Sequence, residues 1–206
     1  MTSFIYTTIT GNNADLIKDV GELYFKDGFI ICDPTFGKGV FWRKIDLTRF
    51  EFFPSDLLTC PDHQYDFRHL PYAEDSFNVL VFDPPYCHNP GCLIVDANYK
   101  NAATTKGFYH RDIIQLYREG MIEAARVLQP GGLLLVKCKD EIESSKQRRS
   151  HIELYSLALD ELRFTDEALF ILKQKNNPIV QHKRQLHPRK NCSYLWVFRK
   201  NEKTKR

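Results

Sequence analysis

The sequence lacks the features that would place it in a membrane or in an oxidising compartment. In 206 residues no apolar run approaches the roughly 20 residues that a membrane-spanning helix needs. Residues 1–10 carry no basic stretch followed by an apolar one, so no signal peptide is predicted. The six cysteines are scattered without a CxxC pair, which argues against a disulfide framework. We therefore expect a cytoplasmic protein with no membrane partner.

Internal repeats and low-complexity linkers are also missing. Hydrophobic residues make up 43% and charged residues 27% of the chain, a composition typical of a folded domain and unlike that of disordered proteins. The length suits one α/β domain. We expect this domain to span residues 1–200, with a basic tail over 201–206.

Net charge is low at +3, but it is unevenly distributed. Residues 173–206 hold 11 Lys or Arg and one acid, a net charge of +10, whereas residues 1–172 hold 18 basic and 25 acidic residues, a net charge of −7. This asymmetry favours a polyanionic partner at a basic C-terminal face. A solvated tail is the alternative for the last few residues.

Short apolar runs alternate with longer amphipathic ones, as in parallel strands joined by helices. Helices are predicted over 12–25, 112–128 and 151–162, and strands over 29–32, 49–53, 65–67, 79–82, 133–136, 168–172 and 194–198. The order predicts an α/β fold with a Rossmann-like, doubly wound sheet. Its ligands are expected at the carboxyl ends of the strands.

A glycine loop follows directly on the strand predicted at 29–32. It reads Asp33-Pro34-Thr35-Phe36-Gly37-Lys38-Gly39. The two glycines permit positive φ and close backbone approach to a ligand, and Asp33 can accept hydrogen bonds from amino or hydroxyl groups. A third glycine and a Gly-Lys-Ser/Thr run are missing, which argues against dinucleotide and P-loop sites. The layout suits a nucleoside that bears an amino-acid tail.

Two further acids stand near later strands. Asp56 could chelate two ribose hydroxyls and Asp66 could accept from an adenine amino group. Each could equally be a surface turn aspartate.

The tetrapeptide Asp83-Pro84-Pro85-Tyr86 follows the apolar run 79–82. Two prolines stiffen the backbone, so that the Asp83 carboxylate and the Pro84 carbonyl can form a rigid pair of acceptors beside an aromatic face. This constellation fits a planar group with an exocyclic NH₂, whose two N–H bonds would each find an acceptor. A stiff structural turn is the alternative.

These motifs resemble class I S-adenosylmethionine-dependent methyltransferases, specifically the amino-group DNA methyltransferases that carry a D-P-P-Y motif. Residues 9–17 are similar to the family's methionine-tail segment, 31–41 to its cofactor loop, 66–71 to its adenine-side loop and 126–137 to its common helix, turn and fifth strand. The resemblance implies an antiparallel last strand, S-adenosyl-L-methionine as cofactor and adenine N6 in DNA as target. Cytosine-N4 enzymes more often begin the motif with Ser.

The resemblance also implies roles for individual residues. Catalysis is assigned to Asp83, Pro84, Pro85 and Tyr86. Cofactor binding is assigned to Thr10, Asn12, Asp33, Pro34, Thr35, Phe36, Gly37, Gly39, Asp56, Asp66, Phe67 and Asp83. No metal is implied, and the spacing of Cys87, His88 and Cys92 is unsuited to zinc.

Two polar segments are candidates for nucleic-acid contact, because their Lys and Arg side chains could neutralise phosphates. The expected contacts are His88, Lys100, Lys106 and His110 in the first segment, and Lys183, Arg184, Arg189 and Lys190 in the second. Both could instead be ordinary loops.

The chain departs from the family in leaving no length for a separate target-recognition domain. The two loops could suffice, the protein could form a homodimer, or a partner could supply specificity. Two other functions stay open: methylation of an RNA base at guanine N2 or adenine N6, and a catalytically idle methyltransferase fold that binds nucleic acid.

Overall fold

The computed structural model describes residues 4–86, 109–174 and 190–202. The strands are β1 Thr8–Gly11, β2 Ile30–Asp33, β3 Glu51–Pro54, β4 Phe77–Phe82, β5 Leu128–Cys138, β6 Glu141–Glu143, β7 Lys146–Arg148, β8 Phe164–Gln174 and β9 Cys192–Lys200. The helices are α1 Asn13–Tyr24, α2 His110–Val127 and α3 Ser150–Ser156, which continues into a π-helical turn at Leu157–Glu161. Short 3₁₀ turns lie at Phe41–Lys44 and Leu47–Arg49. Across the described ranges, no helix combines the length and the apolar character needed to cross a membrane.

Seven strands form one sheet in the order β1-β8-β9-β5-β4-β2-β3. β9 runs antiparallel to β5 and β8, and the other neighbouring pairs are parallel. The predicted doubly wound, mostly parallel sheet with an antiparallel last strand is confirmed. Because the parallel strands share one direction, the carboxyl ends of β1, β2, β3, β4, β5 and β8 all meet at one side of the sheet, named here the carboxyl edge.

The sheet is apolar on both faces, as expected for parallel strands covered by helices on either side. In β4, Val79 and Val81 join the apolar cluster that includes α1, whereas Leu80 and Phe82 join the cluster that includes α2 and α3. Alternate side chains of β5 and β9 divide between the two clusters in the same way. The continuous apolar run at 79–82 therefore reflects burial on both faces.

The structure corrects one predicted strand and adds three. Residues 65–67 form no strand, because the Asp66 carboxylate accepts a hydrogen bond from the backbone N–H of Arg68 and turns the chain. Phe67 then packs against the Phe82 ring, with 5.1 Å between ring centres. The strands that were not predicted are β1 and the hairpin formed by β6 and β7.

Gly120 is required where α2 crosses the end of β4. A Cβ atom there would lie 2.2 Å from Cζ of Phe82 and 3.0 Å from Cδ2 of Phe67, too close for any side chain. We expect Gly120→Ala to lower the free energy of unfolding by about 1–3 kcal/mol, despite the higher helix propensity of Ala. Denaturant unfolding measures the effect. Gly21→Ala in α1 is the matched comparison: its Cβ would approach the ring of Phe25 to 3.0 Å rather than 2.2 Å, so we expect a smaller loss of stability from it. Wild-type stability in Gly120→Ala would contradict this close approach.

Candidate active site

The carboxylate of Asp33 lies at the end of β2 and is 3% exposed. Its Oδ1 accepts hydrogen bonds from the backbone N–H and the hydroxyl of Thr35, at 3.0 and 3.2 Å. Its Oδ2 accepts one from the indole Nε1 of Trp42 at 2.7 Å. Trp42 packs in the core and also orients this carboxylate. The side chain of Asp33 is therefore fixed in place before any ligand binds.

Burial raises the pKa of Asp33 to about 7, although the bonds from Trp42 and Thr35 favour the charged form and partly offset that rise. The nearby charge of Asp83 raises it further. A carboxyl group in this state gains from a positively charged neighbour, which would favour its ionised form.

The glycine loop turns sharply after Asp33. Gly37 and Gly39 adopt φ values of 55° and 65°, which L-residues with a side chain rarely adopt. A Cβ on Gly39 would also lie 2.6 Å from Cζ of Phe36. The backbone conformation thus requires both glycines.

Asp56 follows β3 and supports this loop. Its Oδ2 accepts a hydrogen bond from the Gly37 N–H at 3.2 Å, and its Oδ1 accepts bonds from the N–H groups of Leu58 and Thr59 at 2.9 and 2.8 Å. The Thr59 hydroxyl donates to the Gly37 carbonyl at 2.8 Å. The structure therefore places Asp56 beside the glycine loop, with both of its carboxylate oxygens bonded to backbone N–H groups.

The Asp-Pro-Pro-Tyr motif lies next to the glycine loop. The backbone N–H of Asp83 donates to the Thr35 hydroxyl at 2.9 Å, so one side chain of the first loop holds the start of the second. Pro84 is buried, and the Asp83 side chain is 19% exposed. Burial raises the pKa of Asp83, and Lys137 offsets part of that rise.

Lys137 is the residue of this site to which the sequence analysis gave no role. It lies near the end of β5 with a side chain only 2% exposed, and its Nζ donates to Oδ1 of Asp83 at 3.3 Å. The same Nζ lies 4.9 Å from the centre of the Tyr86 ring and 5.6 Å from that of Phe41. Burial opposes the charge, but Asp83 and Tyr86 outweigh it and hold the pKa of Lys137 above its ordinary value. The signal in the sequence was a lysine ending an otherwise apolar strand, which requires a buried partner.

The charges around the two loops fit a cationic cofactor. Asp33, Asp83 and Lys137 together carry a net charge of −1 when all are ionised, and the low-dielectric surroundings strengthen their fields. A sulfonium or an ammonium group placed there would complete the neutralisation. The hydroxyl of Ser55, which is fully buried beside the loop, has no hydrogen-bond partner among the described residues. These features suit a nucleoside with a charged amino-acid tail.

Thr10 and Asn12 lie at the carboxyl end of β1, at the same edge of the sheet. The Asn12 side chain caps α1 by accepting bonds from the N–H groups of Ala14 and Asp15 at 2.9 and 3.2 Å. Asp15 in turn pairs with Lys44, which ends the 3₁₀ turn after the glycine loop. The start of α1 is thereby tied to the 3₁₀ turn that follows the glycine loop.

Asp66 and Phe67 also lie near the site, in the turn before β4. Both carboxylate oxygens of Asp66 accept bonds from Arg68, whose pairing lowers the pKa of Asp66. Phe67 contacts Phe82, the residue before Asp83. In this arrangement Asp66 could accept a hydrogen bond from an adenine amino group only through a lone pair that Arg68 does not occupy.

Of the predicted nucleic-acid contacts, only His110 and Lys190 are described. The ring of His110 is buried, with Nδ1 and Nε2 each 2.8 Å from an oxygen of Glu141 and of Glu153, so neither nitrogen faces a phosphate. Lys190 lies 3.6 Å from Asp140. The other six predicted contacts lie outside the described residues: His88, Lys100, Lys106, Lys183, Arg184 and Arg189. Cys87 and Cys92 lie outside them as well. In the ranges that the structure covers, no group of three or more His, Cys, Asp or Glu side chains is arranged to hold a metal ion.

No protein-family model matches the chain, and no curated protein matches it in sequence. Among solved structures, it is similar to a candidate DNA modification methylase from Thermus thermophilus, crystallised with S-adenosyl-L-methionine, with 20% identity and a TM-score of 0.45 over 66% of this chain. The chain spans about half the length of that protein, 52%.

Two further structures are matched over most of this chain. A SAM-dependent methyltransferase from Methanosarcina mazei is 11% identical, with a TM-score of 0.55 over 89% of this chain and 98% of that one. The 1,6-didemethyltoxoflavin-N1-methyltransferase of Burkholderia thailandensis, with bound 1,6-didemethyltoxoflavin and S-adenosylhomocysteine, is also 11% identical, with a TM-score of 0.56 over 92% of this chain and 79% of that one. The fold is therefore that of class I methyltransferases.

Proposed function

We propose that this protein is an S-adenosyl-L-methionine-dependent methyltransferase that methylates an exocyclic amino group of a nucleic-acid base, adenine N6 in DNA. The observation that carries the proposal is the Thr35 contact, which joins a glycine loop suited to a cationic nucleoside to the Asp-Pro-Pro-Tyr acceptor motif. Fold likeness alone does not choose a substrate, since a small-molecule enzyme shares this fold.

The cofactor would lie along the carboxyl edge, against Asp33, Gly37, Gly39 and Asp56. When bound, it supplies an electrophilic methyl carbon on a sulfonium. Asp33 then binds positive charge, and the two glycines allow the backbone to approach. Because methyl transfer is an in-line displacement, the main task of the protein is alignment of the acceptor nitrogen with the methyl carbon.

Asp83 and Pro84 would hold the acceptor. The Asp83 carboxylate and the Pro84 carbonyl each accept one N–H of the amino group, which directs the nitrogen lone pair away from both oxygens. As the N–C bond forms and the S–C bond breaks, positive charge develops on nitrogen, and the interaction with Asp83 strengthens in the transition state. The proton released from nitrogen passes to Asp83 and then to water.

Tyr86 supplies an aromatic surface beside this acceptor pair. A base inside a duplex cannot reach a buried carboxylate, so it must leave its helix and stack in the site. β8 ends at the carboxyl edge, and the Lys and Arg of the basic segment that follows it in sequence are proposed to bind phosphates. A homodimer or a specificity partner would supplement these loops in target choice.

Labelled methyl transfer to DNA and RNA in parallel, followed by digestion to nucleosides, tests the proposal. We expect label in N6-methyladenine from DNA. N4-methylcytosine would overturn the choice of base, and label in RNA alone would overturn the choice of nucleic acid. Cofactor binding with no transfer to either polymer would indicate an idle fold or a small-molecule substrate.

A further inference from the structure

Lys137 stands where a charged group is costly. Its neighbours Leu133, Leu134, Leu135 and Val136 are core residues, and β5 is buried between β4 and β9. Its backbone is held in place by the Tyr117 hydroxyl, which donates to the Lys137 carbonyl at 2.7 Å. An ion pair at such a depth contributes little to stability compared with apolar residues of the same volume. Its presence therefore calls for a reason other than folding.

The register of the sheet aims Lys137 at the acceptor motif. Val136 and Phe82 are the last pair between β5 and β4, so Lys137, which still pairs with β9, and Asp83 are the next residues on two neighbouring parallel strands. The ammonium reaches Oδ1 of Asp83 and lies against the Tyr86 ring. One lysine thus contacts the first and the last residue of the motif.

The groups that face Asp83 make Lys137 decisive for its charge. Asp33 at the end of β2 adds negative charge. Lys137 and Cys138 come from β5, and burial raises the pKa of the Cys138 thiol and keeps it neutral. Tyr86, in the same loop as Asp83, contacts Lys137. Among the described residues, Lys137 is the cation hydrogen-bonded to Asp83. Removing that cation would leave a desolvated carboxylate near a second one, an arrangement that favours protonation.

We propose that Lys137 is a positioning residue for methyl transfer, which keeps Asp83 an anion with Oδ2 directed to the acceptor and holds the Tyr86 ring in its stacking orientation. This inference rests on the proposed function and deepens it. A protonated Asp83 would offer a donor where an amino group needs an acceptor. Because Lys137 is paired with Asp83, the carboxylate offsets its charge and reduces the repulsion between the ammonium and the positive charge that develops on the acceptor nitrogen.

The first test measures Asp83 directly and needs no substrate. The ¹³C resonance of the Asp83 carboxyl, assigned by its loss in Asp83→Asn, is titrated in the wild type, Lys137→Met and Lys137→Arg. We expect Lys137→Met to raise the midpoint by at least about one pH unit and Lys137→Arg to return it toward the wild-type value. Equal midpoints in the wild type and Lys137→Met would overturn the proposal. If Lys137→Met does not fold, Lys137→Gln replaces it.

The second test follows kcat against pH with DNA as substrate. We expect the acid limb of Lys137→Met to move to higher pH, so that its loss of kcat is at least about tenfold larger at pH 6.5 than at pH 9. Lys139→Met is the matched control, since Lys139 lies two residues further on and is not the cation that contacts the motif. An equal loss at every pH would indicate a merely structural role and overturn the proposal. Absence of transfer by the wild type would refute the proposed function instead, while the titration would still decide the role of Lys137.

Discussion

Replacing Asp83 by Asn is expected to lower kcat for methyl transfer by at least about 10³-fold. The amide would donate an N–H where the acceptor amino group also donates, and it would carry no charge to stabilise the developing cation. Binding of S-adenosyl-L-methionine should change by less than about tenfold, because Asp33 and the glycine loop remain. Single-turnover transfer to DNA and calorimetric titration with the cofactor measure the two effects separately.

Two controls separate chemistry from folding in this experiment. Asp27→Asn changes an equivalent side chain at the opposite end of β2, where Asp27 pairs with Arg49 at the surface, and we expect wild-type transfer from it. Asp83→Ala removes the carboxylate without introducing the amide N–H of Asn. It therefore tests whether the loss of kcat in Asp83→Asn comes from the missing carboxylate or from the added donor. Turnover above one tenth of wild type in either Asp83 variant would remove Asp83 from the mechanism.

Affinity for the cofactor is expected to rise about tenfold between pH 6 and pH 8 through Asp33 alone. With a pKa of about 7, Asp33 is mostly protonated at pH 6 and mostly ionised at pH 8, and a cationic ligand binds the ionised form. Asp33→Asn should lower the affinity at pH 8 at least about tenfold and flatten the pH dependence. Because the cofactor's own amino group titrates in the same way against both proteins, the ratio of their dissociation constants isolates Asp33.

The Asp33 carboxyl group also affects the stability of the protein without ligand, which falls as the pH rises, whereas the affinity for the cofactor rises. Its pKa is higher in the folded state than in the unfolded state, so its stabilising contribution is present below about pH 4 and is lost as the pH rises through 7. In the absence of ligand, Asp33→Asn should therefore lose less stability than the wild type between pH 5 and pH 8. Parallel pH profiles of affinity in the two proteins would contradict the role assigned to Asp33.

Much of the fold could be predicted because its signals are local. The helical spacing of apolar residues in α1 and α2 and the apolar runs of β4 and β9 each lie within one stretch of sequence. The hairpin strands β6 and β7 were not predicted, since each has three residues and a polar composition. The turn at Asp66 was taken for a strand because its aromatic neighbours resemble one, whereas the side-chain bond to Arg68 decides its shape.

The residues of the candidate site likewise fall into those that a local motif predicts and those that only a contact across the fold brings in. The glycine loop and the Asp-Pro-Pro-Tyr motif are contiguous, and the structure brings both together at the carboxyl edge. Lys137 and Trp42 act through contacts with Asp83 and Asp33 across 54 and 9 positions of sequence. Such contacts depend on strand register and on the return of the chain after β2, which no single motif encodes.

The antiparallel direction of β9 has a consequence for how such a protein can change. β8 ends and β9 begins at the carboxyl edge, and the two strands are antiparallel neighbours, so a connection between them has no need to cross a face of the sheet. Doubling the length of such a connection costs only about 0.6 kcal/mol in loop-closure entropy. If the proposed function holds, insertions and substitutions at this end would change the choice of target while the parallel core stays as it is.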